Sequence, residues 1–360
     1  MRTTRATILV APLDWGLGHA TRCIPVIDEL INQGSQVVIG GSGIGMKLLE
    51  DRYPNLCFEE LPSYGITYPL EGSMSAHIAK LLPKIYRAIN KEKMCTDEII
   101  RKHKLTHIIS DNRYGIYSSR VPSVIMTHQV HILSGTGLAL FDQMLFRAHR
   151  SMLERFDRIW IVDNAAEARI ACELSSSKGL RKPFEYTGIL SRFNGKNQHW
   201  DTTASAFYAR VAILSGPEPQ RSLFEEKIVD FFRQLNEPCL IVRGTGGKSK
   251  QQIGHLTMLD SMDDQAFLKV LHPETILHSR PGYSTLMDLA YLRHQKVVFT
   301  PTPGQTEQEY LGNILQEQYG YTCIHQDSSF SLTPVCEGRP LPQPTAHQLA
   351  NCVANLLQTN

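Results

Sequence analysis

The chain has 360 residues, 42% of them hydrophobic and 20% charged, which is enough apolar material for real cores and too much length for one ordinary domain. A formal net charge of +2 excludes a polyelectrolyte built to hold nucleic acid, and no stretch approaches the ~18 apolar residues that cross a bilayer. Eight cysteines (Cys23, Cys57, Cys95, Cys172, Cys239, Cys323, Cys336, Cys352) show no Cys-x-x-Cys pair, which argues against a metal site and for reduced, mostly buried thiols of a cytoplasmic protein.

Met1 to Ala6 carries Arg2 and Arg5, but the apolar run after it is broken by Pro12, Asp14 and glycines, so it reads as strand and loop rather than a signal peptide. Thr7 to Leu13 predicts that strand, Asp14 to His19 a loop, and a helix follows to about Gln33. Ala20, Cys23, Ile24, Ile27, Leu30 and Ile31 carry the helical period, and Pro25 implies that regular helix begins only a few residues before it. Gln36 to Ile39 is the next strand and Gly40 to Gly45 a glycine-rich turn. Thr106 to Ser110, Ser123 to Thr127 and Arg158 to Val162 are further strands.

A second series starts near Arg210: strands Val211 to Leu214, Cys239 to Val242, Thr275 to Leu277 and Lys296 to Thr300, with helices Leu223 to Leu235 and Thr285 to Leu292. Strands alternating with helices predict an α/β protein built on two parallel sheets covered on both faces. The expected domains are 1–190, a polar connection over 191–209, a second Rossmann-like domain over 210–344, and a C-terminal helix in 345–360 packing back on the first domain.

Ligands of open parallel sheets gather at the carboxyl ends of strands, where helix N-termini offer unpaired N–H groups and a positive dipole end. Three loops fall there. Gly16-Leu17-Gly18-His19 lets backbone pass close to a ligand and offers a histidine suited to proton transfer near neutral pH, a plain structural turn being the alternative. Ser215-Gly216-Pro217-Glu218-Pro219-Gln220-Arg221 offers a hydroxyl and an arginine to a phosphate, or is a proline-stiffened surface turn. Arg280-Pro281-Gly282-Tyr283-Ser284-Thr285 runs into a helix whose Asp288 can receive ribose hydroxyls, cap its own helix with Thr285, or do both. Downstream, Gly304, Glu307 and Gln308 lie at another helix start, where carboxylate and amide groups can grip sugar hydroxyls.

Together these loops resemble those of MurG-like glycosyltransferases of the GT-B architecture, which include the lipid-linked N-acetylglucosaminyltransferase of peptidoglycan synthesis and plant galactolipid synthases. The likeness is strongest from Arg280 to Leu315, where an S-R-x-G-x-x-T run, the acidic Asp288, a P-x-P strand end and the Glu307-Gln308 pair followed by Asn313 keep the family's order. The Gly-x-Gly-His loop and Thr187-Gly188-Ile189-Leu190-Ser191-Arg192 match two further segments. The resemblance implies two Rossmann-like domains facing across a cleft and an inverting transfer from a nucleotide-diphosphate sugar, with UDP the expected nucleotide and no cofactor or catalytic metal. It implies that Arg192 and the Ser215-Gly216 loop contact the diphosphate, Leu259 lies by the base, Asp288 by the ribose, and Glu307 and Gln308 by the sugar, with Arg280, Gly282, Ser284, Thr285 and Gly304 also on the donor side. It makes His19 the base. Gly16, Gly18, Asp111, Asn112, Arg113 and His128 are acceptor-side candidates, His128 being a rival base. Two departures stand out: prolines in the Ser215 loop where the family has glycines, and Asp14-Trp15 where the peptidoglycan enzyme has small residues.

Residues 77–107 hold eight Lys/Arg against three Asp/Glu. Ile78, Leu81, Leu82, Ile85 and Ile89 share one helical face and Lys80, Lys84, Arg87 and Lys91 another, with Pro83 interrupting. Such a segment suits the anionic inner face of a membrane, each basic residue near the surface adding about 1 kcal/mol. The acceptor is then a glycan or lipid-linked hydroxyl, as in cell-envelope synthesis. A UDP-sugar 2-epimerase and a nucleotide-sugar-binding protein without catalysis are the alternatives.

Overall fold

The computed structural model describes residues 5–65, 74–135, 138–195, 207–216, 218–330 and 335–358, with backbone alone over 74–80 and at 167. The chain forms two compact units, one of Met1–Ile66, Ser75–Asn194 and Pro342–Asn360, the other chiefly Gly195–Leu341. The polar connection expected over 191–209 falls largely on 196–206, outside the described residues.

The first unit has seven strands: β1 (Thr7–Pro12), β2 (Gln36–Gly41), β3 (Cys57–Glu60), β4 (His107–Asp111), β5 (Ser123–Thr127), β6 (Arg158–Ile161) and β7 (Phe184–Tyr186). All pair in parallel, in the order β3-β2-β1-β4-β5-β6-β7. The central strands are near-continuous apolar runs because both faces are covered, and Ile8, Leu9, Val10, Ile108, Ile109, Ile125 and Met126 are fully buried. Helices α1 (Leu17–Asn32), α2 (Gly43–Arg52), α3 (Met74–His103) and α4 (Ala139–Leu153) supply that cover.

Two helix expectations are corrected. Pro25 lies well inside α1, which starts at Leu17, and Pro83 lies inside an unbroken α3. In α1 the buried face through Ala20, Cys23, Ile24 and Ile27 holds the helix despite the lost N–H, tertiary packing overriding local propensity. The turn expected over Gly40 to Gly45 shrinks to Ser42, because β2 runs to Gly41 and α2 starts at Gly43.

The second unit holds β8 (Arg210–Ile213), α5 (Gln220–Arg233), β9 (Cys239–Val242), β10 (Lys250–Ile253), β11 (Leu256–Leu259), α6 (Asp264–Val270), β12 (Ile276–Ser279), α7 (Tyr283–Leu292), β13 (Val297–Phe299), α8 (Thr306–Glu317) and β14 (Thr322–Cys323). Its order is β10-β11-β9-β8-β12-β13-β14, parallel except for the antiparallel β10–β11 pair at one edge. Phe224, Ile228, Phe231 and Phe232, at helical spacing on α5, seal one face against Ala212, Ile241 and Leu256. Each such side chain contributes about 1.5–3 kcal/mol by leaving water.

The last helix, α9 (Gln348–Leu357), belongs to the first unit, where it packs on α1 and β7. Gln33 donates to the Ala350 carbonyl at 3.0 Å, and Asn355 to Glu185 at 2.6 Å. All eight cysteines are free thiols, but Cys23, Cys239 and Cys352 alone are buried, while Cys57 and Cys336 are exposed.

Candidate active site

Strand order reverses between β1 and β4 in the first sheet and between β8 and β12 in the second, and such switch points are where open α/β sheets bind ligands. After β1, Gly16 caps α1 with φ 80° and ψ −179°, a conformation essentially closed to other residues. The helix therefore starts at once, placing His19 in its first turn and Arg22 one turn on along the same side. Both meet Asp111, the last residue of β4. Asp111 Oδ2 lies 2.9 Å from His19 Nδ1 and accepts from Arg22 Nε at 2.8 Å, while its Oδ1 accepts from Arg22 Nη2. Arg22 Nη1 reaches His128 Nδ1, just beyond β5, at 2.7 Å. Asn112, at φ 55°, donates its amide to Met126 O and Thr127 Oγ1 and turns its oxygen to Arg22 Nη2 at 3.2 Å.

The side-chain exposures are 14% for His19, 2% for Arg22 and 0% for Asp111, so of these three the histidine is the one open to solvent. Burial alone would raise the Asp111 carboxyl, but the Arg22 guanidinium and His19 bring it down to about 2. Burial, reinforced by Arg22, lowers His19 against the opposing pull of Asp111, so its imidazole is neutral at neutral pH. A neutral imidazole hydrogen-bonded through one nitrogen to a carboxylate is the arrangement a general base needs.

Arg113 departs from its expected acceptor-side place. It is fully buried and donates to Pro12 O at 2.7 Å, Pro62 O at 2.9 Å and Glu92 Oε1 at 2.8 Å, so it braces the loops after β1 and β3 from below. Gly18 sits within the first turn of α1, its carbonyl accepting from Thr21 Oγ1 at 3.0 Å.

In the second unit, the loop after β8 is not the open phosphate cradle its sequence suggests. Ser215 and Gly216 are exposed, with Gly216 at φ 100°; Pro217 lies outside the described residues. The N-terminus of α5 already holds a carboxylate: Glu218 accepts from the Ser222 N–H at 3.2 Å and from Arg221 Nε at 2.7 Å. Arg221 is further committed to Glu225 at 2.6 Å, and Arg243 ties Glu225 to Asp260.

Arg280 is corrected as well. It is 1% exposed, donating to Thr300 O, Pro301 O, Gln220 O and Gln326 Oε1 with its guanidinium 4.2 Å over Phe224, so it ties together the loops after β8, β12 and β13 rather than facing a ligand. The N-cap of α7 is Gly282, with no side-chain cap, so the Thr285–Asp288 capping box does not form. Ser284, Thr285 and Asp288 are partly exposed on one side of α7 by their spacing. After β13, Gln308 Oε1 accepts from Thr302 N at 2.9 Å and Glu309 from Gly304 N at 2.8 Å, so one lone pair of the Gln308 oxygen is already used within the loop. Glu307 is partly exposed in the first turn of α8, and Leu259 half-exposed at the end of β11. Arg192 belongs to the first unit and stacks on Phe193 at 4.9 Å.

No family model matches the chain. An uncharacterized glycosyltransferase of Methanosarcina acetivorans is 22% identical over 333 residues, covering 85% of this chain and 82% of that one. Among solved structures, Acinetobacter baumannii MurG superposes with a TM-score of 0.50 at 14% identity, covering 91% of this chain and 88% of that one. Arabidopsis thaliana UGT89C1 in complex with UDP gives 0.59 at 11% identity, covering 99% and 91%. The glycosyltransferase of kitacinnamycin gives 0.57 at 14%, also covering 99% and 91%. By fold, the chain is similar to MurG and other GT-B glycosyltransferases. Within the GT-B frame of the first unit, the residue that sequence reasoning passed over is Arg22. Its signal was available: an arginine three positions after His19, on a helix face otherwise made of Cys23, Val26 and Ile27, requires a buried acid and finds Asp111.

Proposed function

We propose that the protein is an inverting, metal-independent glycosyltransferase that moves a hexose, such as N-acetylglucosamine, from a UDP-sugar to a hydroxyl of a glycan or lipid-linked acceptor. The observation that carries this is the His19–Asp111 hydrogen bond at the β1/β4 switch point of a GT-B fold. His19 Nε2 takes the acceptor's proton as its oxygen forms a bond to the anomeric carbon. The bond from that carbon to the diphosphate breaks on the opposite face, and its electron pair leaves with UDP. Asp111, ionised and buried, stabilises the imidazolium that results. Gly282, Ser284 and Thr285 at the N-terminus of α7 receive the departing diphosphate, and Asp288 the ribose. The solved complexes of UGT89C1 with UDP and with UDP-L-rhamnose support a UDP-linked donor.

The test is calorimetry with UDP, followed by a UDP-release assay with candidate glycan and lipid acceptors. Tight UDP binding and release that vanishes in His19→Ala are expected. Donor affinity unchanged by both Asp288→Ala and Glu307→Ala would reject the donor assignment.

The same reading places the first unit on an anionic membrane surface. On α3, Ile89 is buried and Ile85 partly so, both packed towards Leu13 and Tyr64, while Leu82 and Tyr86 are exposed beside Lys84 and Arg87. The apolar face is thus divided between core and solvent; the side chains of Ile78 and Lys80 lie outside the described residues. Leu138, Leu140, Phe141 and Met144 add exposed apolar surface at the start of α4. Among the described residues no helix is long and apolar enough to cross a membrane, so this contact would be peripheral. Co-sedimentation with anionic vesicles at low salt tests it, and its absence removes this part of the proposal.

A further inference from the structure

We infer that Arg22 is a positioning residue that fixes the ring protons of both histidines, leaving His19 Nε2 as the lone-pair base and His128 Nε2 as a hydrogen-bond donor. The catalytic meaning rests on the glycosyltransferase reading; the proton assignment does not.

A guanidinium has five N–H groups, one on Nε and two on each Nη, and stays charged at any pH the fold survives. The Nε hydrogen goes to Asp111 Oδ2 at 2.8 Å. Nη1 points one hydrogen at His128 Nδ1, 2.7 Å away, so that nitrogen must present its lone pair, and in a neutral ring the proton then sits on Nε2. Nη2 has two hydrogens and three neighbours: Asp111 Oδ1, the Asn112 amide oxygen at 3.2 Å, and His19 Nδ1 at 2.9 Å. One hydrogen goes to Oδ1, and the other lies between the amide oxygen and His19 Nδ1. The ionised Asp111 Oδ2, 2.9 Å from His19 Nδ1, can only accept, so the ring proton sits on Nδ1 and the shared Nη2 hydrogen goes to the amide oxygen. His19 is therefore protonated on Nδ1, with Nε2 open as acceptor.

The two rings consequently have opposite polarity at the atoms they turn away from Arg22. His19 can receive a proton from a hydroxyl; His128 can give a hydrogen bond to an oxygen. One guanidinium decides both, so which histidine is the base follows from Arg22 rather than from either ring alone. The groups that act on His19 are Arg22, Asp111 and His128, and Cys23, Asn112 and Tyr114 lie against Arg22 or Asp111 in turn. Of these, the fixed positive charge of Arg22 disfavours an imidazolium while Asp111 favours it.

The decisive measurement is a long-range proton–nitrogen correlation spectrum of the full chain carrying isotope-labelled histidine, near neutral pH, assigned with His19→Gln and His128→Gln. It is expected to show His19 as the Nδ1–H form and His128 as the Nε2–H form. His19 in the Nε2–H form, or His128 in the Nδ1–H form, would overturn the inference. Arg22→Lys keeps a charge and loses the fork, and Arg22→Gln loses both. Each is expected to release His128 into a mixture of tautomers, and Arg22→Gln to raise the titration midpoint of His19. If either variant fails to fold, the wild-type spectrum still decides.

In UDP-release assays Arg22→Lys should lower kcat by on the order of 10²-fold, with donor KM unchanged because the proposed donor groups are on the second unit. A fall in donor affinity as large as that in kcat would mean a general structural role and would count against positioning. Expected tautomers together with no UDP release from any acceptor would sink the glycosyltransferase reading and leave the role of Arg22 standing.

Discussion

Replacing Arg280 by methionine keeps most of the side-chain length over Phe224 and removes a buried guanidinium. Four oxygens lose a donor: Thr300 O at 3.0 Å, Pro301 O at 3.1 Å, Gln220 O at 3.0 Å and Gln326 Oε1. Hydrogen bonds from a charged donor are worth about 1.5–3 kcal/mol each. The substitution also removes the cost of holding the cation away from water, and the thioether retains apolar contact with the ring. The net loss is therefore well below the gross sum, about 3–5 kcal/mol, as when one partner of a buried charged arrangement is deleted. In a unit of this size that lowers the midpoint of thermal unfolding by about 10 °C. Scanning calorimetry without ligand measures this, and titration with UDP measures the consequence, since the loops carrying Gln220, Thr300 and Pro301 loosen together and bind UDP more weakly. If UDP binding were lost while the ligand-free midpoint stayed within about 1 °C of wild type, Arg280 would be a direct phosphate contact and the bracing argument would fail.

Asp111→Asn keeps the side-chain shape but removes the charge that orients the imidazole and balances the buried Arg22 guanidinium. UDP release should fall by roughly 10²–10⁴-fold with donor affinity preserved, and equal loss of both would contradict it. Acid should weaken the fold from the upper edge of the histidine range. Burial lowers His149 to about 4, His294 to about 4 and His278 to about 3, so all three stay neutral in the native state. Their native values lie below the ordinary ~6.5, so stability is complete above that pH and declines as pH falls through the window down to about 4. His149 alone contributes roughly 3 kcal/mol to this decline. Urea unfolding at a series of pH values checks the slope, and His149→Phe should flatten it. Gly16→Ala meets no atom within 4 Å but must take φ 80° with ψ −179°, so it should cost about 1–3 kcal/mol through the backbone alone, read from the shift in urea midpoint.

Where the sequence was readable, one periodicity spoke for one element. β9 at Cys239–Val242 and β5 at Ser123–Thr127 follow from apolar runs bounded by turns, because strands buried on both faces are apolar through their middle. β3, β7, β10 and β14 have few residues and exposed or half-exposed positions, so nothing local distinguishes them; their partners in the sheet make them strands. The start of α1 was misplaced for a related reason, since Pro25 argues against helix locally and the packed face of α1 outweighs it.

The site divides along the same line. Composition, spacing and the glycine loops determined that the chain is α/β with two sheets, and they marked His19, Asp111 and Asp288 as worth following. Only the tertiary structure decided which polar groups are already engaged by the fold. Arg113 and Arg280 look in sequence like anion contacts, yet backbone carbonyls from distant loops surround them. Arg22 looks like an ordinary helix residue, yet Asp111 and His128 arrive beside it from two other strands. A side chain's charge is written in the sequence; whether that charge is already satisfied depends on residues about ninety to a hundred positions away, and only folding brings those together.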